Sequence, residues 1–477
     1  MGSKKGTLNR IIKIDITENE KELFEICKKY CRLSKELYNF TNYKVRQVYL
    51  TSKNINEGKE IKQEVMDKYN EIIKEIEEFN NNTKTQKINL DYKQWGGIFI
   101  ANGGAKTPLK SMLKETVPFK SMPSVSSHNT IEQVSNNWKG FFESLKSYIE
   151  DKSKFRGLPK PPKYIKDYNS FIIDVNSVKI KNGVLMFNKG KKGYRSYNEF
   201  NCCNIKLPLG NWERNHENEA RLVQIRIVPK NNKFEMQVVY EIDKVETKEI
   251  KGRTVAIDLG IPRVATVVNN IGEQPFTING KPLKSYNKEY NKKVSDIKSK
   301  LKTVNNVETS KKLKNIHDNR NNFMETYMHQ SASYIIKWCK KYDIDTIVIG
   351  KNKHWKDKCN LGKETQTFVQ IPLAKLIDKI KYRAEGLGIK VVLQEESYTS
   401  KSSFIDNDKM PTYKEGQTYK FSGIRTKRGL YKSKEGIEIH ADVNGAYNIL
   451  RKYDKTFKYE EGIKLHPIVV LPNDKIN

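Results

Sequence analysis

The segment TVAIDLG, Thr254–Gly260, is an apolar run with a single charged residue, Asp258. A short continuous apolar run of this kind is typical of a strand that is buried on both faces of a sheet. The run VATVV, Val264–Val268, follows after a short connection and is expected to form a hairpin with it. Asp258 should therefore lie at a sheet edge and not in the core, although a lone aspartate at this position could also be a turn residue.

A second acidic residue opens the last predicted helix. The segment HADVNGAYNILR, His440–Arg451, has the spacing of a helix that packs through Ala446, Ile449 and Leu450, with Asp442 in its first turn. By itself Asp442 is more often a helix cap or a partner of the helix dipole than a catalytic residue. Combined with a strand-end aspartate at the start of an α/β sheet, it forms the pair with which the RNase H-like fold builds a metal site.

The rest of the chain after Lys251 alternates between predicted strands and helices. The apolar runs Ile344–Gly350 and Ile389–Gln394 predict buried strands, and the basic stretch from about Lys288 to Lys341 predicts helical structure. Strands that are joined by helical crossovers imply a largely parallel α/β sheet.

The first half of the chain has a different pattern. Thr7–Ile16 alternates apolar and polar side chains as a half-buried strand does, whereas Glu18 to about Glu77 and His128–Tyr148 have helical periodicity. Short β-like runs follow at Phe171–Val175, Val178–Phe187, Ile205–Leu209, Leu222–Val228 and Phe234–Ile242. With the N-terminal strand they are expected to form a small β-barrel that a helical insert interrupts, which makes the first domain discontinuous.

The composition indicates a polyanionic partner. Lysine and arginine total 88 against 56 acidic residues, a formal net charge of +32 over 477 residues, which far exceeds what solubility needs. No apolar run approaches the ~20 residues that span a bilayer, and the N-terminus has no secretory signal pattern. We therefore expect a cytoplasmic protein that binds nucleic acid and no membrane. None of the six cysteines forms a C-x-x-C pair, which predicts reduced thiols.

Five segments carry a resemblance to a known family. They are DLGIPRVATVV (258–268), IVIGKN (347–352), FVQIPLAKL (368–376), SYTSKSSF (397–404) and ADVNGAYNILRK (441–452). These segments closely resemble the RuvC motifs of TnpB proteins, the transposon-encoded RNA-guided DNA endonucleases of bacteria from which the type V CRISPR effectors descend. The resemblance covers Lys251 to about Tyr453 and extends less sharply upstream, through residues 127–145 and 155–164.

The resemblance implies a multidomain architecture that combines an OB-like wedge β-barrel, a helical recognition lobe and an RNase H-like α/β RuvC nuclease domain. The expected domains are a wedge barrel at 1–17 and 161–250, a helical recognition domain at 18–160, a RuvC domain at 251–397 and 439–477 (with the tail), and a target-nucleic-acid-binding insert at 398–438.

The resemblance also implies the chemistry and the partners. A TnpB-type hydrolase binds a transposon-derived guide RNA, recognises a short flanking motif and cleaves guide-complementary double-stranded DNA, so it would associate with the nucleoid when bound to its target. Two Mg²⁺ (or Mn²⁺) ions held by Asp258, Asp442 and a third carboxylate would serve the hydrolysis. Two alternatives stay open: a nuclease-inactive RNA-guided repressor, and a guide-free nuclease or integrase on the same fold.

The third carboxylate is missing from its usual position. Many relatives have a glutamate at the end of the strand that here ends in Gly350. The strand Ile389–Gln394 should lie beside the first strand, and it is followed by Glu395 and Glu396, so we expect one of the two to replace the missing metal ligand. Because successive strand residues face opposite sides of a sheet, Glu396 falls on the more polar face and is favoured over Glu395.

Other acidic residues are poorer candidates for the third ligand. Glu364 lies in a predicted loop and Glu385 in a predicted helix. If Glu395 and Glu396 were only exposed strand-end residues that balance nearby lysines, the chain would lack a complete metal site and would be the inactive repressor.

The insert departs from the family in its cysteines. Many relatives carry two C-x-x-C pairs there, whereas here Ser402 and Ser403 follow Tyr398-Thr-Ser-Lys and the region up to Glu438 has no cysteine, so we expect no zinc. Basic residues between aromatic ones predict contacts with nucleic acid instead. These basic residues are Lys409, Lys420, Arg425, Lys427, Arg428 and Lys432. The alternative is a solvated lysine-rich loop around a small aromatic core, and the resemblance favours substrate contact.

Overall fold

A computed structural model of the chain describes residues 7–84, 87–88, 108–188, 195–207, 221–243, 245–305, 307–351, 370–412, 417–427 and 429–476. The chain divides into two compact units, Met1–Asp243 and Lys244–Asn477. Within the described ranges, no helix is both long enough and apolar enough to cross a bilayer.

The first unit contains an antiparallel sheet. The strands described in it are β1 (Thr7–Ile16), β2 (Phe171–Ile173), β3 (Val178–Lys181), β4 (Val184–Phe187), β5 (Arg221–Pro229) and β6 (Phe234–Asp243). Four of them form a sheet in the order β1-β6-β5-β2, and β3 and β4 pair separately as a hairpin. The alternating N-terminal segment is a strand as expected, and it pairs with β6 from Thr7 opposite Asp243 to Ile16 opposite Phe234.

Two of the predicted strands of this unit differ from expectation. The run Val178–Phe187 is divided into β3 and β4 because a turn with the left-handed residues Asn182 and Gly183 lies within it. The described part of the run predicted at 205–209 contributes an isolated bridge between Lys206 and Val184. The closure of these strands into an OB-like wedge barrel stays a prediction.

The long helices of the first unit lie where the helical periodicity predicts them, and two short helices in the described part of the chain lie outside the predicted segments. They are α1 (Lys21–Asn56), α2 (Gln63–Asn82), α3 (Pro108–Leu113), α4 (Val117–Lys120) and α5 (Ser124–Glu150). Trp138 of α5 is fully buried against Tyr49 of α1, and its indole N–H donates a hydrogen bond of 2.9 Å to Asn42 Oδ1. This bond satisfies a buried donor that would otherwise destabilise the packing. The role of these helices as a recognition domain stays a prediction.

The second unit is an α/β structure. Its described strands are β7 (Thr254–Asp258), β8 (Arg263–Asn269), β9 (Phe276–Asn279), β10 (Thr346–Gly350), β11 (Lys390–Gln394), β12 (Ile424–Lys427), β13 (Leu430–Lys432), β14 (Glu438–His440) and β15 (Ile468–Val470). Its described helices are α6 (Lys281–Asn305), α7 (Lys311–Lys341), α8 (Leu373–Glu385) and α9 (Ala441–Tyr453). The main sheet has the order β11-β10-β7-β8-β9-β15, and β12-β13-β14 form a smaller sheet.

The strand β7 is apolar throughout because helices cover both faces of the main sheet. Val255 and Ile257 belong to a core that includes residues of α7 and α8. Ala256, which points to the opposite face, belongs to a second core with Ala446 and Ile449 of α9. The run TVAIDLG therefore forms the doubly buried strand that its sequence predicts, and it brings α9 close to the end of β7.

One expectation for the main sheet is corrected. The sheet is mixed: β10 is parallel to β7 and β11, and β15 is parallel to β9, but β8 is antiparallel to both of its neighbours because short connections form hairpins. The expectation that β11 lies beside β7 is wrong, since β10 lies between them. The hairpin partner β8 occupies one edge of β7 and β10 the other, which leaves no edge of β7 for β11.

Candidate metal centre

Asp258 is the last residue of β7, where it pairs with Thr266 of β8, and it is half-buried. The helix α9 passes close to it at Gly445. A Cβ atom built on Gly445 would lie 3.0 Å from Asp258 Oδ2, which is tighter than nearly all real contacts of a Cβ atom. A glycine at this position therefore permits the close approach of the helix backbone to the carboxylate.

Asp442 lies in the first turn of α9, as the sequence predicts. His440 caps this helix, and its Nδ1 accepts a hydrogen bond of 3.2 Å from the Asp442 backbone N–H. The Asp442 carboxylate contacts two arginines: Arg263 Nη1 lies 3.2 Å from Oδ2, and Arg425 Nη2 lies 3.9 Å from Oδ1. The nearer contact, with Arg263, restrains the partly exposed carboxylate.

Glu396 follows the end of β11, and its carboxylate lies next to Gly350. A Cβ atom built on Gly350 would overlap Glu396 Oε2 and would lie 2.5 Å from Ile449 Cδ1 of α9. The carboxyl group of Glu396 therefore occupies the space into which a side chain at position 350 would project. The strands β7, β10 and β11 are parallel, so their carboxyl ends, and with them Asp258 and Glu396, lie at the same edge of the sheet.

Glu395 has a different environment. Its Oε2 accepts a hydrogen bond of 2.7 Å from Lys452 Nζ, and its Oε1 accepts one of 2.7 Å from the Ser397 backbone N–H. Partial burial raises the pKa of Glu395, but the bonds from Lys452 and Ser397 outweigh this effect and lower the pKa below its usual value. Of the two candidate glutamates, Glu395 is engaged in an ion pair and Glu396 is the one that lies near Asp258.

The charges of Glu396 and Asp442 act on Asp258. Burial raises the pKa of Asp258 well above its usual value, and the negative charges of Glu396 and Asp442 raise the pKa further, whereas the positive charge of Arg425 opposes them. Clustered carboxylates that repel one another are stabilised by a divalent cation, and hard oxygen donors suit Mg²⁺ or Mn²⁺. Asp258, Glu396 and Asp442 are therefore the carboxylates here that could hold a divalent ion.

The basic residues predicted to contact nucleic acid are mostly exposed. Lys409, Lys420, Arg425, Lys427 and Lys432 have exposed side chains, and Arg428 lies outside the described residues. The aromatic residues between them are not uniformly available for stacking. Tyr431 is buried, and its hydroxyl donates a hydrogen bond of 2.8 Å to the Lys401 carbonyl. A small aromatic core and an exposed basic surface thus coexist in the insert.

Several contacts around this centre, and one cluster in the first unit, could not be predicted from the sequence. Arg263 and Lys452 contact Asp442 and Glu395, but each is distant in sequence from its partner, and lysines and arginines are too frequent here for one to be singled out. In the first unit, Glu22, Cys202 and Cys203 each place a ligand atom within 4.8 Å of the others. This group is a surface cluster, and it joins residues of α1 to a distant pair of neighbouring thiols.

Two family models match parts of the chain. A family model described as "Probable transposase" (OrfB_IS605) matches residues 237–356, and a model of the Cas12f1-like TNB domain matches residues 374–449. The TnpB-like protein ORF457 of Acidianus two-tailed virus is 25% identical over 241 residues, which are 48% of this chain and 48% of that protein. The match thus spans about half the length of that curated relative.

The solved structures that the chain matches at low similarity include RNA-guided effectors. A Cas12f1–sgRNA–target DNA complex has a TM-score of 0.31 at 13% identity and covers 94% of this chain and 100% of that chain. The mini-RNA-guided endonuclease CRISPR-Cas_phi3 has a TM-score of 0.40 at 10% identity, with 94% and 92% covered. The two matching family models and the TnpB-like viral relative agree with the resemblance of the RuvC motifs to those of TnpB proteins.

Proposed function

We propose that this protein is an RNA-guided DNA endonuclease that cleaves guide-complementary double-stranded DNA by metal-dependent hydrolysis. The proposal is supported by the proximity of Glu396 and Asp442 to Asp258, whose charge they influence, at the edge of the sheet where the parallel strands β7, β10 and β11 end. An acidic group whose pKa is raised by neighbouring carboxylates, as that of Asp258 is, is characteristic of a functional site. An ordinary solvated surface would keep such like charges apart.

The three carboxylates would hold the Mg²⁺ or Mn²⁺ ions, and Glu396 would replace the ligand that relatives place at position 350. Two such ions, when bound, neutralise charge on the scissile phosphate and activate the attacking water. The protein itself keeps the acidic side chains together and orients Asp442 through Arg263. Arg425 extends from the exposed insert to Asp442, so its guanidinium can also contact a phosphate of the substrate.

The proposed partners follow from charge and family. A net charge of +32 suits a protein that binds both a guide RNA and a DNA duplex. We assign guide and flanking-motif recognition to the wedge barrel at 1–17 and 161–250 and to the helices at 18–160. Nuclease activity belongs to 251–397 and 439–477, with the insert at 398–438 contacting the target. The protein would act in the bacterial cytoplasm, on the nucleoid.

The first experiment tests the dependence on a guide. The protein is purified from cells that carry its transposon, and the bound nucleic acid is treated with RNase or DNase and sequenced. We expect one RNA species that RNase removes, and cleavage of a matching DNA duplex only when a short flanking sequence is present. Equally efficient cleavage without RNA would instead support the guide-free nuclease.

The second experiment tests the assignment of the ligands. Asp258→Ala, Asp442→Ala and Glu396→Ala should each reduce cleavage by more than the ~10- to 100-fold that is typical of outer partners of a metal site, and guide-dependent DNA binding should persist. Glu395→Ala should retain more activity than Glu396→Ala. Normal cutting by both glutamate variants would refute the relocated ligand.

Position 350 is a glycine and not a glutamate, and this favours one other function as the alternative. A nuclease-inactive protein that represses transcription by guided DNA binding needs the same partners but no complete metal site. Guide-dependent binding without cleavage by the unaltered protein, in Mg²⁺ and in Mn²⁺, would favour this repressor over the nuclease.

A further inference from the structure

The helix that carries Asp442 also contacts the segment that carries Glu396. Three side chains of α9 spaced four residues apart, Asn444, Asn448 and Lys452, are buried and lie on one face of the helix. All three donate hydrogen bonds to residues of the segment 395–402, which follows β11. One rigid helix therefore contacts this segment at several successive points.

The amides contact the far end of this segment. Asn444 Nδ2 donates to the Ser402 carbonyl at 2.8 Å, and Asn448 Nδ2 donates to the carbonyls of Thr399 and Ser402 at 2.9 and 2.7 Å. The segment also contains Tyr398 with φ of 65°, a left-handed conformation that is unfavourable for a residue with a side chain. A backbone of this kind persists only where surrounding contacts hold it.

Lys452 contacts the end of the segment nearest to Glu396. Its side chain is only 5% exposed, and Nζ donates to Glu395 Oε2 and to the Ser397 carbonyl, both at 2.7 Å. A buried ammonium group needs such partners, because an unpaired buried charge is strongly unfavourable. Lys452 thereby contacts the residues on both sides of Glu396 in the sequence, and it neutralises the neighbouring carboxylate.

We propose that Lys452 is a positioning residue that, through Glu395 and Ser397, holds the Glu396 carboxylate beside Asp258. The two glutamates then have separate roles: Glu395 anchors the backbone and Glu396 is the metal ligand. This inference rests on the proposed nuclease function. It explains how a metal ligand in the turn after β11 can replace the ligand that relatives have at the end of β10. Outer partners of this kind orient the direct ligands of a metal ion.

The test compares Lys452→Met with Lys452→Arg, and with Lys455→Met as control, an exposed lysine just beyond α9. Mn²⁺ binding to the full-length protein is followed by electron paramagnetic resonance, and single-turnover cleavage is measured against Mg²⁺ concentration. For Lys452→Met we expect Mn²⁺ affinity to fall, and half-saturating Mg²⁺ to rise, by about 10- to 100-fold. Lys452→Arg should keep most of the Mn²⁺ affinity and a nearly normal half-saturating Mg²⁺ concentration. Lys455→Met should match the unaltered protein in both measurements.

A second variant tests the inference in case Lys452→Met does not fold. Glu395→Gln removes the charge of the anchor with almost no change of shape, and it should shift the Mg²⁺ dependence in the same direction by a smaller factor. If Glu395→Gln lowers Mn²⁺ affinity as strongly as Glu396→Gln does, Glu395 is itself a ligand and the division of roles is wrong. Unchanged Mn²⁺ affinity in folded Lys452→Met, or in Glu395→Gln if Lys452→Met does not fold, also overturns the inference.

The two proposals fail in different ways. If the unaltered protein never cuts DNA with its guide, the nuclease function is refuted, whereas Mn²⁺ binding by the same variants still decides whether Lys452 positions Glu396. If the unaltered protein cuts and the Mg²⁺ dependence of both anchor variants is normal, only the positioning role is refuted.

Discussion

Gly350 and Glu396 share one small volume at the carboxyl ends of β10 and β11. The overlap between a Cβ atom at Gly350 and both Glu396 Oε2 and Ile449 Cδ1 means that no larger residue fits without displacing one of them. Ile449 is fully buried in the core beneath α9, so it has little freedom to move. A side chain at position 350 would therefore displace the Glu396 carboxylate and not Ile449.

We predict that Gly350→Ala impairs cleavage by moving Glu396 away from Asp258. Overpacking of this kind also costs about 1–3 kcal/mol of stability. Cleavage rate against Mg²⁺ concentration and the free energy of unfolding are the measurements. Gly140→Ala is the control, because a Cβ atom at that helical position meets nothing within 4 Å. Unaltered Mg²⁺ dependence in Gly350→Ala would show that Glu396 does not need this space.

The aspartates and the glutamate differ in how far the sequence predicts them. Asp258 and Asp442 follow from local patterns, the end of an apolar strand and the first turn of a helix, and the structure places both there. The preference for Glu396 over Glu395 rests on strand alternation, but β11 ends at Gln394, so alternation does not govern either residue. What separates them is Lys452, whose contact with Glu395 no local pattern predicts.

At the scale of elements, the insert is held together by carboxylates where relatives are expected to use cysteines. Asp408 accepts hydrogen bonds from the Ser403 N–H at 2.8 Å, and from the Ser422 N–H at 3.1 Å and hydroxyl at 2.5 Å. Asp406 Oδ2 accepts a bond of 2.9 Å from the Lys434 N–H. These bonds join the beginning of the insert to both of its later parts, much as a bound ion would.

We predict that Asp408→Ala loosens the insert. It leaves the Ser403 and Ser422 donors without their acceptor, which costs about 1–3 kcal/mol for each donor that stays buried. Hydrogen exchange at the amides of residues 403 and 422 should accelerate, and target cleavage should fall while guide RNA stays bound. Glu435→Ala, an exposed acidic residue of the same insert, is the control. Unchanged exchange at both amides would contradict this role of Asp408.

The order of the strands shows where local patterns stop being informative. Most strands of the main sheet are predicted by their apolar runs, but which strands are neighbours depends on contacts between distant segments. The strands β9 and β15, which extend the sheet beyond β8, are too short to be distinguished from loops in the sequence. The hairpin of β7 and β8 is predictable because its connection is short.

At the scale of the whole molecule, composition indicates a polyanionic partner but not where that partner binds. The first unit brings the N-terminal strand β1 beside β6, the last strand of that unit, so its sheet is formed by residues from opposite ends of the unit. The net charge of +32 constrains the class of partner. The assignment of guide and target to particular surfaces depends on the proposed function.

The hydrogen bonds within the insert bear on whether it binds zinc. We expect the purified protein to hold no stoichiometric zinc and to keep its activity after treatment with a zinc-selective chelator, because Asp408, Asp406 and the Tyr431 hydroxyl make the cross-links of the insert. Elemental analysis of protein from zinc-supplemented cells is the measurement, and one zinc per chain would contradict the prediction. The matched variant is Cys202→Ser/Cys203→Ser, which removes the thiols that lie near Glu22. Zinc that disappears in this variant would belong to that surface group, whereas zinc that persists would show that the insert, or another part of the chain, binds the ion after all.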